Sequence, residues 1–324
     1  MSDLNRHKAA IVLDFGGTTI KLGLIQQGHL LAQSTVPARS VGGLLPRLGD
    51  VRNAVLDLLG QAGLSLGDCF GVGIALPGIV DPERFTLLSI NEKYADAIGF
   101  AFNTWAEEAF GLPIVMENDA RAALLGEISY GTAKGESNAV LMIFGTGIGT
   151  AAIMNGKIVR GRHLQAGILG GHFVTDVNGS ICNCGNIGCI EAQASHWSIQ
   201  GWLSKQAGYA NSILAKEPEM GYRQVIEASQ TGDPLAVFAM QHLYKHWTSG
   251  IVNLIHAYDP EVVILSGGLM KSKDIVLPVL TQRVLEQAWT PWGQVRFLVA
   301  EDPNASVLLG LSHLLERGNK YDFV

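Results

Sequence analysis

Three of the four cysteines in this chain fall within residues 172–191, which read HFVTDVNGSICNCGNIGCIE. Cys182, Cys184 and Cys189 follow a C-x-C-x4-C spacing, with His172 ten positions ahead of the first and Glu191 two behind the last. Three thiolates and an imidazole are a common tetrahedral set for a structural Zn2+. Gly179, Gly185 and Gly188 give the backbone the freedom to bring the sulfurs together. The alternatives are a disulfide or unrelated buried thiols. Cysteines separated by one residue bridge poorly, and no feature suggests secretion, so the stretch is read as a zinc loop. A metal with four protein ligands is closed to substrate, which places the chemistry beside it. Cys69, with no partner in sequence, is read as a buried structural thiol.

A second chemistry-bearing stretch opens the chain. Residues 9–13, AAIVL, read as a short buried strand that Asp14 closes; FGGTT follows, then IKLGLI at 20–25 and LLAQSTVP as second and third strands. Asp14 to Lys21 is thus a glycine-rich turn between antiparallel strands. It is not a P-loop, because G-x4-GK[ST] is absent and a strand follows instead of a helix. Such a turn can present N–H groups and threonine hydroxyls to a phosphate; it can also be a plain hairpin with Gly-Gly at its tip.

The pattern returns at 139–159, AVLMIFGTGIGTAAIMNGKIV, which reads as strand, glycine loop, strand, Asn155-Gly156 turn and strand. An internal repeat of this kind predicts two domains of similar topology, each offering a glycine loop to a shared cleft. IVME at 114–117 reads as a strand with Asn118-Asp119 at its carboxyl end, where ligands bind in α/β sheets. Asp119 suits a catalytic role there and equally suits a helix N-cap.

The elements that must position these residues are legible in outline. Helices are expected over 50–62, with Val51, Val55, Leu58 and Leu59 on one side, and over 104–110, stopped by Gly111 and Pro113. FGVGIALPG at 70–78 reads as a buried strand ending in a Pro-Gly turn. Asp233-Pro234 opens a long helix whose apolar side is Leu235, Phe238, Leu243, Trp247, Ile251, Leu254 and Tyr258, ended by Asp259-Pro260. EVVILSGG at 261–268 is a buried strand delivering Gly267-Gly268, where a flat ring system can approach the backbone. ASVLLGLSHLLERG closes the chain as a helix; residues 195–232 read only as helical and irregular.

At 324 residues the chain has room for about two domains. Its 48% hydrophobic and 16% charged content marks it as globular, and 39 glycines point to several glycine loops. A net charge of −6 argues against a nucleic-acid surface. No apolar run approaches the ~20 residues of a membrane span, and no signal peptide is apparent in MSDLNRHKAA. A reducing cytoplasm is the expected location.

Together, LDFGGTTIK, ENDARAALLGE, FGTGIGTAAIMNGKIVRG, GHFVTDVNGSICNCGNIGCIEAQAS and DPEVVILSGG resemble the ROK family of sugar kinases and related repressors, from about Ala10 to Leu315. The resemblance implies an α/β fold of two RNase H-like domains of actin/hexokinase type flanking a cleft, with a zinc-binding loop. One domain would comprise 1–119 plus about 304–324, the other 120–303 with the zinc loop and the adenosine site. It implies ATP-dependent phosphorylation of a monosaccharide hydroxyl, with Asp119 as general base and Asn118 on a neighbouring hydroxyl. Asp14 would help hold Mg2+ through water. Gly16, Gly17, Thr18 and Lys21 would belong to the phosphate site on one side, Gly145, Thr146 and Gly147 on the other, and Gly267 and Gly268 would border the adenosine. His172 would ligate Zn2+ through one ring nitrogen and face the sugar with the other, Glu191 would accept sugar hydroxyls, and Asn91 would join the sugar site. Family members are often homodimers.

Two departures stand out. The family's A-G-E-x-G-H run is AGILGGH here, residues 166–172: one residue longer, with Ile168 or Leu169 in place of the carboxylate. The family's N-L-x-x-W-like segment is NEKYADAIGF, in which Asn91 is followed by Glu92, Lys93 and Tyr94. Both predict an acceptor other than glucose. Alternative functions are a sugar-responsive repressor, for which the 13 residues before Asp14 leave no room for a DNA-binding domain, and a non-catalytic sugar/ATP sensor.

Overall fold

The computed structural model describes residues 7–91 and 93–318. The chain divides into two compact units, one made of residues 1–137, 155–166 and 301–324, the other of 138–154 and 167–300.

In the first unit, β1 (Ala9–Phe15), β2 (Thr19–Gln26), β3 (His29–Pro37), α1 (Leu48–Gln61) and β4 (Cys69–Leu76) are followed by a small hairpin of β5 (Ile79–Asp81) and β6 (Thr86–Ser89). Then come α2 (Phe102–Phe110), β7 (Ile114–Asn118) and α3 (Asp119–Ser129). The sheet order is β3-β2-β1-β4-β7, with β1, β2 and β3 antiparallel and β1, β4 and β7 parallel. β1 is buried at every position, as its unbroken apolar run requires. β3, at the edge, alternates exposed and half-buried residues. α2 ends at Gly111, whose φ of 65° the absence of a side chain makes inexpensive.

In the second sheet, β8 (Ala139–Phe144), β9 (Ile148–Met154) and β10 (Lys157–Ile158) form a meander, joined across Asn155-Gly156 with both φ values positive. The short helices α4 (Ile190–Ala194) and α5 (His196–Leu203), then α6 (Tyr222–Gln230) and the long α7 (Pro234–Tyr258), lead to β11 (Val262–Gly267), α8 (Lys273–Gln287) and β12 (Arg296–Val299). The order is β10-β9-β8-β11-β12, with β8 and β9 antiparallel and β8, β11 and β12 parallel. Strand for strand this repeats the first sheet, as the repeated glycine-loop pattern predicts. The long helix starts where expected: Asp233 accepts the Ala236 N–H, Pro234 is its first residue, and Asp259 closes it in the left-handed region. Phe238 departs from the expected buried stripe. It is 53% exposed and stacks on Trp202.

The last helix, α9 (Pro303–Arg317), packs on α3 in the first unit. Their contact is close enough that a Cβ at Gly126 would lie 1.9 Å from the Ser306 carbonyl oxygen, and one at Gly310 1.8 Å from that of Ala122. α3 is buried from Ala120 to Ile128, and the two charged residues in that span, Arg121 and Glu127, are satisfied by an ion pair and hydrogen bonds. This contact keeps α3 in the first unit, whereas the sequence reading divides the chain between 119 and 120.

Candidate functional site

In the first unit the candidate site residues lie at the carboxyl ends of β1 and β7. Register places Asp14 opposite Lys21 across the β1–β2 ladder, with Nζ 3.1 Å from Oδ2. Asp14 is 5% exposed; burial raises its carboxyl pKa, and the Lys21 ammonium opposes that rise. The turn beyond it carries Gly16, Gly17 and Thr18. A Cβ at Gly16 would lie 2.7 Å from the Thr19 carbonyl oxygen. Tyr94 Oη donates to Gly16 O at 2.7 Å and Ser40 Oγ to Gly17 O at 2.6 Å, so two side chains hold the turn from one side.

Asn118 ends β7 and caps α3. Its Oδ1 accepts the N–H groups of Ala120 and Arg121, and its Nδ2 donates to Gly78 O and to Asp119 Oδ1, both at 3.0 Å. The N-cap is therefore Asn118, one position before the residue to which the sequence equally assigned it. An amide offers two donors and two acceptor sites, and all are engaged, so a sugar hydroxyl on Asn118 would have to replace one of these bonds. Asp119 begins α3 with Oδ1 accepting the Ala120 N–H at 2.8 Å. Burial first, and the Asp14 charge second, push its carboxyl pKa up to about 7.

Beneath this pair lies a cluster the sequence reading missed. Glu117, fully buried, accepts the Asn118 N–H at 2.9 Å through Oε1 and pairs with Arg160 through Oε2. Arg121, also fully buried, has Nη1 3.5 Å from Glu117 Oε1 and donates through Nη2 to the carbonyls of Leu164 and Ala166 at 3.0 and 2.9 Å. No local period signals the pair, because Glu117 lies in β7 and Arg121 in α3, and only tertiary structure brings in Arg160. Asn91 is exposed, and Glu92 lies outside the described residues.

In the second unit the β8–β9 loop carries Gly145, Thr146 and Gly147. Glu191, in the first turn of α4, accepts the Ile148 N–H at 2.9 Å and lies 3.4 Å from Trp197 Nε1. A Cβ at Gly147 would meet that carboxylate at 2.6 Å, and the Trp197 N–H donates to Thr146 O at 3.1 Å. Gly267 ends β11 at φ 93°, where a Cβ would lie 2.4 Å from Phe144 O, and Gly268 follows it, exposed.

The metal-ligand reading has a geometric counterpart. One ligand atom from each of His172, Cys182, Cys184 and Cys189 lies within 4.8 Å of the other three. His172 Nδ1 is 3.7 Å from Cys182 Sγ, and Cys184 Sγ is 3.7 Å from Cys189 Sγ. Zn–S bonds of ~2.3 Å at tetrahedral angles separate the sulfurs by about 3.8 Å, so the donor set fits this ion. Gly185 and Gly188 adopt φ values of 87° and 76°, and a Cβ at Gly188 would lie 1.6 Å from Asp176 O. Gly179 does not take a positive φ; it contributes close approach, to Gln193 Nε2. Cys69 is buried, with its thiol pKa pushed up to about 11, chiefly by burial.

The lengthened run before His172 is wrapped around Thr150. Its Oγ1 donates to Gly167 O at 2.7 Å and accepts the Gly170 N–H at 2.9 Å, while the Gly167 N–H donates to Tyr258 Oη at 3.1 Å. Ile168 is half-buried and Leu169 is 39% exposed.

A family model described as "ROK family" matches residues 10–317. A glucokinase of Halalkalibacterium halodurans is 29% identical over 277 residues, covering 83% of each chain. A xylose repressor of Bacillus spizizenii is 27% identical over 285 residues, which are 88% of this chain and 67% of that protein. Among solved structures, a ROK family glucokinase from Streptomyces griseus in complex with glucose and AMPPNP is 26% identical with a TM-score of 0.80, covering 96% of this chain and 100% of that one.

Proposed function

For a chain that belongs to the ROK family, we propose the activity of an ATP-dependent sugar kinase that phosphorylates a hydroxyl of a monosaccharide. The observation that carries this reading is Asp119: a carboxylate at a strand end, fixed by Asn118, with its pKa raised to about 7 and Asp14 acting on it. A general base works best with a pKa near the operating pH. Kinases among the relatives support the same reading, including a glucokinase structure with sugar and an ATP analogue bound.

In this mechanism Asp119 takes the proton of the acceptor hydroxyl. The hydroxyl oxygen forms a bond to the γ-phosphorus of ATP, the bond to the bridging β–γ oxygen breaks, and ADP leaves. Asn118 keeps Asp119 aimed. Gly16, Gly17 and Thr18 belong to one phosphate-binding loop and Gly145, Thr146 and Gly147 to a second of the same kind; Gly267 and Gly268 border the adenosine. Phosphoryl transfer demands alignment and charge neutralisation more than covalent help. Mg2+ typically takes one or two carboxylates, with phosphates and water completing its shell, and Asp14 fits that need. Bound Mg2+ would supply charge neutralisation at the phosphates. Zn2+ would be held by His172, Cys182, Cys184 and Cys189 as a structural ion. It would orient His172, whose other ring nitrogen meets the sugar together with Glu191.

Replacement of the expected carboxylate by Ile168 or Leu169 favours an acceptor other than glucose, because a sugar hydroxyl facing an apolar group loses a partner at about 1–3 kcal/mol when buried. The test is coupled ADP release with Mg-ATP across hexoses, N-acetylhexosamines, ketoses and disaccharides. One strong substrate, with turnover lost in Asp119→Asn, supports the kinase. Silence across the panel with the protein folded and nucleotide-bound would instead favour a sugar sensor, the direction in which the repressor relatives point.

A further inference from the structure

Lys93 lies against the glycine turn of the first unit. A Cβ built on Gly17 would meet Lys93 Nζ at 2.5 Å, Cδ at 2.9 Å and Cε at 3.0 Å, so the side chain runs directly over the Gly17 backbone. The segment carrying it is anchored to the same turn. Tyr94, 1% exposed and at φ 53°, donates through Oη to Gly16 O. Its N–H donates to Ser40 O at 3.2 Å, and Ser40 Oγ donates to Gly17 O. Asp96, two residues on, accepts the N–H groups of Leu44 and Leu45.

The two lysines at this turn differ in one respect. Lys21 is paired with Asp14. The Lys93 ammonium has no hydrogen-bond or ion-pair partner among the described residues. An ammonium on a half-buried residue, held over a glycine turn and left unpaired among the described residues, is suited to an anion arriving at that turn.

We propose that Lys93 binds the terminal phosphate of the nucleotide, completing from the β6–α2 connection the phosphate site that the Asp14–Lys21 turn begins. This rests on the kinase reading above and adds a contact at a position that the sequence itself marks only as a departure from the family pattern. Lys93 then tells a triphosphate from a diphosphate, and it follows the charge of the phosphoryl group during transfer.

The test is binding of AMPPNP and of ADP, each with Mg2+, by calorimetry to the full-length protein and to Lys93→Met and Lys93→Arg. Lys93→Met should weaken AMPPNP about ten-fold or more, the scale of one hydrogen bond to a charged group, and change ADP less than two-fold. Lys93→Arg should restore most of the loss, and all three proteins should melt together. Equal losses for both nucleotides, or no loss for either, would overturn the assignment. So would unchanged nucleotide binding with a raised KM for the acceptor, which would move Lys93 to the sugar. If the unsubstituted protein binds neither nucleotide, the kinase reading and the Lys93 assignment fail together. If it binds AMPPNP and Lys93→Met binds it equally well, only the assignment fails.

Discussion

Glu191 and Ile148 are joined by a single hydrogen bond, the Ile148 N–H donating to the Glu191 carboxylate at 2.9 Å, and through it the helix after the last cysteine grips the start of β9. A carboxylate read from sequence as a sugar ligand is thus also a brace for the Gly145–Gly147 loop. Glu191→Ala should loosen that loop and destabilise the protein by about 1–3 kcal/mol, the usual result of orphaning a buried N–H. Chemical denaturation measures it. An unchanged unfolding midpoint would reduce the bond to a by-product of proximity.

The proposed base role of Asp119 predicts a pH-dependent activity with a definite sign. With a pKa of about 7 its base form is lost as pH falls, so kcat/KM should decline below pH ~7 with the titration of one proton. The same shift acts on stability with the opposite sign. The folded pKa lies above the unfolded value of ~3.9, so the native state holds the extra proton and stability falls as pH rises from about 4 to about 7. Asp119→Asn should abolish turnover by at least about 100-fold and be relatively more stable than the unsubstituted protein at pH 8. A flat pH profile between 5.5 and 8 would remove Asp119 from the base role.

The cysteine and histidine cluster predicts one zinc ion per chain by elemental analysis. Cys189→Ser, which replaces a buried ligand, should lower metal content and melting temperature together, and a strong chelator should do the same to the unsubstituted protein. Full metal retention and an unchanged melt in Cys189→Ser would place the zinc elsewhere.

Glu117 is the shared partner of two arginines. Glu117→Ala leaves the fully buried Arg121 beside an empty site, and breaking a buried pair in this way typically costs about 3–5 kcal/mol. Double replacement with Arg121→Met should recover part of that loss. A Glu117→Ala protein as stable as the parent would show that Arg160 and Arg121 need no counter-charge.

Gly126→Ala tests the helix contact on which the first unit depends. Its Cβ would lie 1.9 Å from a backbone oxygen of α9, so the helices must separate, at a cost on the order of 1–3 kcal/mol or more. Gly60→Ala, in α1 with open space around it, is the control and should be neutral or slightly stabilising.

Much of this was legible in the chain itself, for identifiable reasons. The core strands announce themselves as unbroken apolar runs: AAIVL in β1, AVLMIF in β8 and VVIL in β11. The repeat predicts two sheets of equal order because each glycine loop must join two antiparallel strands. Asp233-Pro234 and Gly111 mark helix ends through local backbone chemistry. What sequence could not supply was anything set by tertiary approach. Phe238 falls in the apolar stripe of α7, but Trp202 meets it at the surface instead of the core. The Asn118 side chain takes the cap ahead of Asp119 because it already sits in extended backbone at the end of β7. Arg160 reaching Glu117, and Lys93 reaching Gly17, connect residues 43 and 76 positions apart, and no local period encodes either.

The α3–α9 contact also orders the birth of the protein. Tyr130 Oη donates to Glu316 across 186 positions, and Ser306 Oγ to Glu127 across 179. On the ribosome, chain emerges at roughly 5–20 residues per second, so α3 waits for its partner while the whole second unit is made. For that interval the flank of α3 that α9 will cover has no partner, and the first unit, begun first, can be completed only after the last helix of the chain has been made.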